Sequence, residues 1–204
     1  IGPVCRLCRR EGTKLFLKGE KCFTKCVLDK RPKIPGVAKP QRGKPSEYMI
    51  RLREKQKLRR QASIAERPFE RLVMRASRAT GKTGEELLKY LEVRLDNVVR
   101  RLGFVVSLKT ARQLVLHGHV KVNGRPVNIP SFEVQPGDVV ALDPALKDNV
   151  GVKLGLDFAA RKSRPPAIRE FNEAEFSGKM SRWPAREEMS FLVSEQLIVE
   201  YYSK

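Results

Sequence analysis

The chain has 204 residues, enough for a sizeable core built as one large domain or two small ones. Its 42 Lys and Arg outnumber 23 Asp and Glu, a formal charge of +19, and so large an excess repels itself unless a polyanion compensates it. Nucleic acid ranks ahead of an anionic membrane. No apolar run approaches the ~18–20 residues of a spanning helix, and no signal-peptide pattern opens the chain.

The charge is uneven. Residues 1–60 hold 19 Lys/Arg against 5 Asp/Glu, whereas residues 143–204 hold 10 of each. The partner-facing field therefore belongs to the front of the chain, and the end reads as ordinary domain surface.

All four cysteines lie in the front segment: Cys5, Cys8, Cys22 and Cys26. C-x2-C and C-x3-C pairs separated by a short loop can bring four sulfurs to one tetrahedral site. Neighbouring Arg6, Arg9, Arg10, Lys21 and Lys25 favour thiolate over thiol. Two disulfides would need an oxidising compartment, which nothing here suggests. The expected cofactor is zinc, with an iron–sulfur cluster as the alternative that uses the same sulfurs. Four filled positions leave no open site, so the role expected is structural.

After Cys26 a Pro- and Gly-punctuated basic stretch reads as an extended arm that orders along phosphates. We place RNA contacts at Arg42 and Lys44 in this arm and at Arg9 and Arg10 beside the first cysteine pair. Ser46 then caps a helix. From Arg51 to Arg60 it carries Arg51, Arg53, Lys55, Lys57, Arg59 and Arg60, with Glu54 the lone acid among them. A solvated face usually mixes signs, so these six are expected to face phosphate.

Pro68 fits the first turn of the next helix, whose stripe of Phe69, Leu72, Val73 and Ala76 is core. Thr83 with Glu86 fits a capping box, and Leu87 to Leu102 marks a strong amphipathic helix or a closely joined pair. Arg94, Arg100 and Arg101 are expected at its surface. Ser107 caps a short helix with Lys109 and Arg112 on its outward side. Gly118 turns the chain, residues 119–122 alternate as a strand, and Asn123-Gly124 signals a hairpin with a return strand at Val127–Ile129. Pro136-Gly137-Asp138 is a turn before a strand through Leu142. One edge of this unit could collect Arg94, Lys109, Arg112, His117, Lys121 and Asn123 against RNA. His117 and His119 straddle a glycine and lack a third ligand, so they are not read as a metal pair. Gly151, Gly155, Pro165 and Pro166 break up the following stretch, and Leu197–Tyr202 reads as a closing strand.

The run R-L-D-N-V-V-x-R-L-G … S-x-x-x-A-R-Q-L-V-x-H-G-H-V-x-V-N-G … P-G-D resembles the small RNA-binding module named after ribosomal protein S-four. The four-cysteine segment, "RLREKQKLRR" and "SEQLIVEYYSK" extend the likeness to the bacterial S-four ribosomal protein family over essentially the whole chain. The resemblance implies an α+β protein. A mostly helical amino-terminal domain would carry a four-cysteine metal knot, and the module would add an inserted pair of helices and a small curled antiparallel sheet. The divisions are then 1–45 for the metal segment and arm, 46–93 for the helical domain, 94–144 for the module and 145–204 for a segment returning to the helical domain.

It further implies no catalysis but a structural role in the small ribosomal subunit. There the protein would bind small-subunit ribosomal RNA and nucleate assembly, lie beside protein S-five near the messenger RNA channel, and influence decoding accuracy. Repression of its own message is a further implied role, and the protein would be cytoplasmic with no membrane partner. The alternative is an RNA-modifying or other RNA-binding protein that uses the same module.

Overall fold

A computed structural model describes residues 3–36, 44–161, 166–168, 170–172 and 175–203. The chain divides into two compact units: Ile1–Leu87 with Phe191–Lys204, and Leu88–Ser190. Arg42 of the expected arm lies outside the described residues.

The first unit is helical. Short helices α1 (Cys5–Glu11), α2 (Lys21–Thr24) and α3 (Val27–Lys30) open it. Val4, Cys8, Leu15 and Leu17 close around one another as a small apolar cluster. Helix α4 (Glu47–Gln61) starts where the sequence places it, with Ser46 Oγ accepting from the Met49 amide at 3.3 Å. Helix α5 (Glu66–Ser77) buries Phe69, Val73 and Ala76 at helical spacing. Helix α6 (Thr83–Glu92) follows, and the division between the units falls within it.

The unit is completed from far along the chain by α10 (Glu195–Tyr202), which packs on α4. Ile198 is fully buried, and Tyr202 and Tyr201 lie against Phe69 and Tyr48 with ring centroids 6.4 and 5.8 Å apart. The strand expected over Leu197–Tyr202 is therefore a helix. Its β-branched and aromatic residues promise a strand locally, but burying one face on α4 overrides that preference.

The second unit pairs α7 (Leu95–Arg101) with α8 (Leu108–Leu116) and a five-stranded antiparallel sheet. Its strands are β1 (Val120–Val122), β2 (Arg125–Pro126), β3 (Val139–Leu142), β4 (Glu170–Asn172) and β5 (Ser177–Lys179), in the order β2-β1-β3-β5-β4. Ser107 caps α8 by accepting from Thr110 N at 3.2 Å. Asn123 and Gly124 both take positive φ, 50° and 78°, as the tight hairpin demands. The return strand comes earlier than expected, at Arg125–Pro126, because the two-residue turn sets register directly: Val122 faces Arg125. Pro126 has no amide to donate, which suits β2 at the sheet's edge.

Leu95, Val99, Phe104, Ala111, Val115, Val120, Val134 and Val140 form a single core with the residues around them. The supposedly broken stretch after Asn149 holds α9 (Val150–Ala160). Its second glycine is a contact device: a Cβ on Gly155 would lie 2.5 Å from the Phe104 carbonyl oxygen, so only glycine lets helix and backbone approach that far.

Candidate nucleic-acid interface

The basic helix α4 does not present its charges as expected. Lys55 is buried, its ammonium 2.6 Å from Glu66 and 4.6 Å from the Tyr201 ring centroid. Tyr202 donates to the same Glu66 at 3.1 Å. Arg59 also reaches Glu66, at 3.3 Å, Lys57 pairs with Glu54 at 2.6 Å, and Arg51 joins Glu200 at 2.8 Å. Arg53 and Arg60 both pair with Glu11. Only Glu54 of these acids was visible in the local run; the others arrive from α1, α5 and α10. The helix is the hub of the first unit's ion pairs.

Burial works against charge on Glu66, yet Lys55, Tyr202 and Arg59 outweigh it and hold its carboxyl below the usual range. Burial, with Glu66 beside it, pushes the Tyr202 hydroxyl well above the usual tyrosine range. Those shifts mark a fixed internal network.

A row of outward cations lies on α5 and its C-cap residue. Arg67, Arg71, Arg75 and Arg78 are all exposed, spaced four, four and three residues apart, opposite the buried stripe of Phe69, Val73 and Ala76. Among the described residues Arg67, Arg71 and Arg78 make no ion pair. Sequence reasoning followed the apolar stripe and missed this one, although the same three-to-four spacing carried the signal. Arg10 and Lys44 are exposed as well, while Arg9 donates from Nε to the Lys33 carbonyl at 2.9 Å.

In the second unit Arg94, Arg100 and Arg101 turn away from the expected surface. Arg94 is 7% exposed and grips Asp96 through two hydrogen bonds of 3.1 and 2.9 Å, so it faces inward. Arg100 donates to Asn97 at 2.8 Å and Ser190 at 3.1 Å, and burial lowers its pKa. Arg101 turns to Glu92 and the Glu188 carbonyl. These three leave the expected surface because each finds a partner inside the unit: Asp96, Asn97 with Ser190, and Glu92.

Lys109 and His117 are exposed, and Arg112 and Lys121 are half-buried. Lys109 and Lys121 make no ion pair among the described residues. Asn123 is occupied structurally: it donates to Asp138 at 2.8 Å and accepts from Val139 N at 2.9 Å, pinning the hairpin to β3.

No disulfide joins the four cysteines; Cys8 and Cys22 are buried and Cys5 and Cys26 half-buried. Cys22 Sγ accepts from the Lys18 amide at 3.3 Å. Burial raises the Cys8 pKa against a hydrogen bond from the Leu15 backbone, and the thiols of Cys22, Cys5 and Cys26 are near enough to raise it further. Among the described residues no group of three or more His, Cys, Asp or Glu is disposed to hold a metal ion. The four-cysteine knot read from the spacing is therefore not supported by this geometry; Cys8 is drawn into the apolar cluster with Val4, Leu15 and Leu17.

Two family models match the chain: the ribosomal protein S4/S9 N-terminal domain over residues 1–92 and the S4 domain over residues 93–140. Full-length relatives agree. The chain is 52% identical to small ribosomal subunit protein uS4A of Symbiobacterium thermophilum, 51% to uS4 of Acidobacterium capsulatum and 48% to uS4 of Thermus thermophilus. Each alignment covers 100% of this chain and 98% of the relative. The chain belongs to the uS4 family of small ribosomal subunit proteins. Membership in the uS4 family makes it a structural protein and not an enzyme. The α+β architecture, a helical front and a small antiparallel sheet, suits the S4 domain match. Among the described residues no helix is long and apolar enough to cross a membrane.

Proposed function

We propose that the chain binds structured small-subunit ribosomal RNA through two basic faces, one on α5 and one on α8 with β1. The observation that carries this is the separation of its cations into two populations. Those on α4, together with Arg94 and Arg101, are held by internal acids, whereas Arg67, Arg71 and Arg78 on one unit and Lys109 and Lys121 on the other lack such partners among the described residues. Exposed guanidinium groups make paired contacts with phosphate, and ammonium groups add movable charge. Each neutralised phosphate releases counterion, so affinity should fall steeply with salt. Arg10, Lys44, Arg112 and His117 extend these faces. Folded RNA is read by shape, phosphate and 2′-hydroxyl, which suits a surface rich in Arg and Lys and poor in exposed aromatics.

Within the cytoplasmic ribosome this activity fits early attachment to RNA, proximity to protein S-five and messenger RNA, and an influence on accuracy. The test is binding to folded small-subunit RNA against random duplex at several salt concentrations. A clear preference for the ribosomal RNA is expected; equal binding to both would refute the assignment.

We also propose a structural metal at Cys5, Cys8, Cys22 and Cys26, zinc first. Cys5, Cys22 and Cys26 lie near enough to Cys8 to raise its pKa, and four such sulfurs are a soft-metal donor set; an ion held there would supply folding energy to a segment with little core. Metal analysis of purified protein, with Cys8→Ser beside it, tests this: one zinc per chain lost in the variant is expected, and a metal-free wild type purified from zinc-replete medium refutes it.

A further inference from the structure

Glu11 ends α1 with a side chain only 1% exposed. Its Oε1 accepts from Arg53 Nη1 at 3.3 Å and from Arg60. Its Oε2 and Arg53 Nε are both buried with no hydrogen-bond partner among the described residues. One carboxylate oxygen is thus divided between two guanidinium groups, while the paired, parallel geometry each prefers is left unmade. Arg10 and Arg59 crowd the same place. Burial, together with the charges of Arg53, Arg59 and Arg10, presses the Arg60 pKa down against the attraction of Glu11. Guanidinium groups outnumber the acid, and their donors are not all filled.

A phosphate makes the same demand on a guanidinium as a carboxylate does: two acceptor oxygens in its plane. The two anions therefore compete for one fork. We propose that Glu11 is an internal counterion that withholds Arg53 and Arg60 from RNA phosphate and so limits how tightly this unit grips RNA. The inference rests on the RNA-binding reading above. It assigns α4 to scaffolding in the native complex and leaves α5 as the gripping helix.

The test is the salt dependence of binding to folded small-subunit RNA for wild type, Glu11→Gln and Asp148→Asn. Asp148 is 95% exposed, so its variant controls for the added unit of net charge. Glu11→Gln should bind more tightly and steepen the logarithmic salt slope beyond the control by about one to two, roughly one per guanidinium released. A slope equal to the control, or weaker binding with an unaltered circular dichroism spectrum, overturns the proposal. Should Glu11→Gln not fold, Arg53→Gln decides. It should keep the slope of the exposed charge control Lys153→Gln, and a slope flatter by about one would show that Arg53 already meets phosphate. Failure of the wild type to prefer ribosomal RNA over random duplex would sink the binding reading itself, whatever the variants do.

Discussion

Arg94 illustrates how one side chain can look like a ligand-binding group and serve the core. It pairs with Asp96, itself 1% exposed, directly after the break between α6 and α7. The Asp96 amide donates to the Pro130 carbonyl at 3.2 Å, so the pair also anchors the loop before β3. Removing one partner of a buried pair strands the other charge, which costs about 3–5 kcal/mol. Arg94→Ala should therefore lower the stability of the second unit by that amount in urea unfolding, with little change in RNA salt slope beyond the loss of one charge. Gly155 makes a different demand. Gly155→Ala places a methyl against backbone that cannot retreat as a side chain would, and should cost about 1–3 kcal/mol in the same measurement.

Helix by helix, the chain separates charges that hold it together from charges that face outward. Replacing Arg67 and Arg71 on α5 with Ala should weaken RNA binding and flatten the logarithmic salt slope by about two, with stability nearly unchanged because both are exposed. Lys55→Ala on α4 should do the reverse, lowering stability by roughly 1–3 kcal/mol through the lost pair and cation–π contacts while sparing the salt slope. The same network predicts a pH response. The folded Glu66 pKa is depressed, so its contribution is present above the ordinary glutamate value of about 4.3 and disappears as pH falls through the folded one. Tyr202 is raised, so its contribution is complete below about 10 and is lost above that as the unfolded chain ionises. Urea midpoints across pH check both, and Glu66→Gln should flatten the acid limb.

What the sequence revealed at this scale follows from range. Ser46, Ser107 and Asn123-Gly124 act within a few residues, and the structure uses each as read. Where α4 sends its charges depends on Glu11, Glu66 and Glu200, which a local reading cannot place. The strand read at Leu197–Tyr202 failed for the same reason: the docking surface lies far earlier in the chain, Arg51 meeting Glu200 across 149 residues. Strands β4 and β5 have three residues each and little alternation to betray them.

Across the whole molecule, a net charge of +19 is tolerated because much of it is locally neutralised and the remainder is spread over exposed faces of both units. That division makes cohesion and grip separable by mutation, which the variants above exploit.

The first unit needs α10, whose residues come after all of the second unit in chain order. During synthesis, then, the later-starting unit is finished sooner. A nascent chain halted after Ser190 has every strand of the sheet but leaves Lys55 and Arg51 without Tyr201 and Glu200. Hydrogen exchange on such arrested chains should find β1, β3 and β5 protected while α4 still exchanges freely. The helix richest in cations is then the last to be tied down: Glu11, Glu54 and Glu66 are already made, but until α10 emerges Arg51 is left without Glu200 and open to any polyanion nearby.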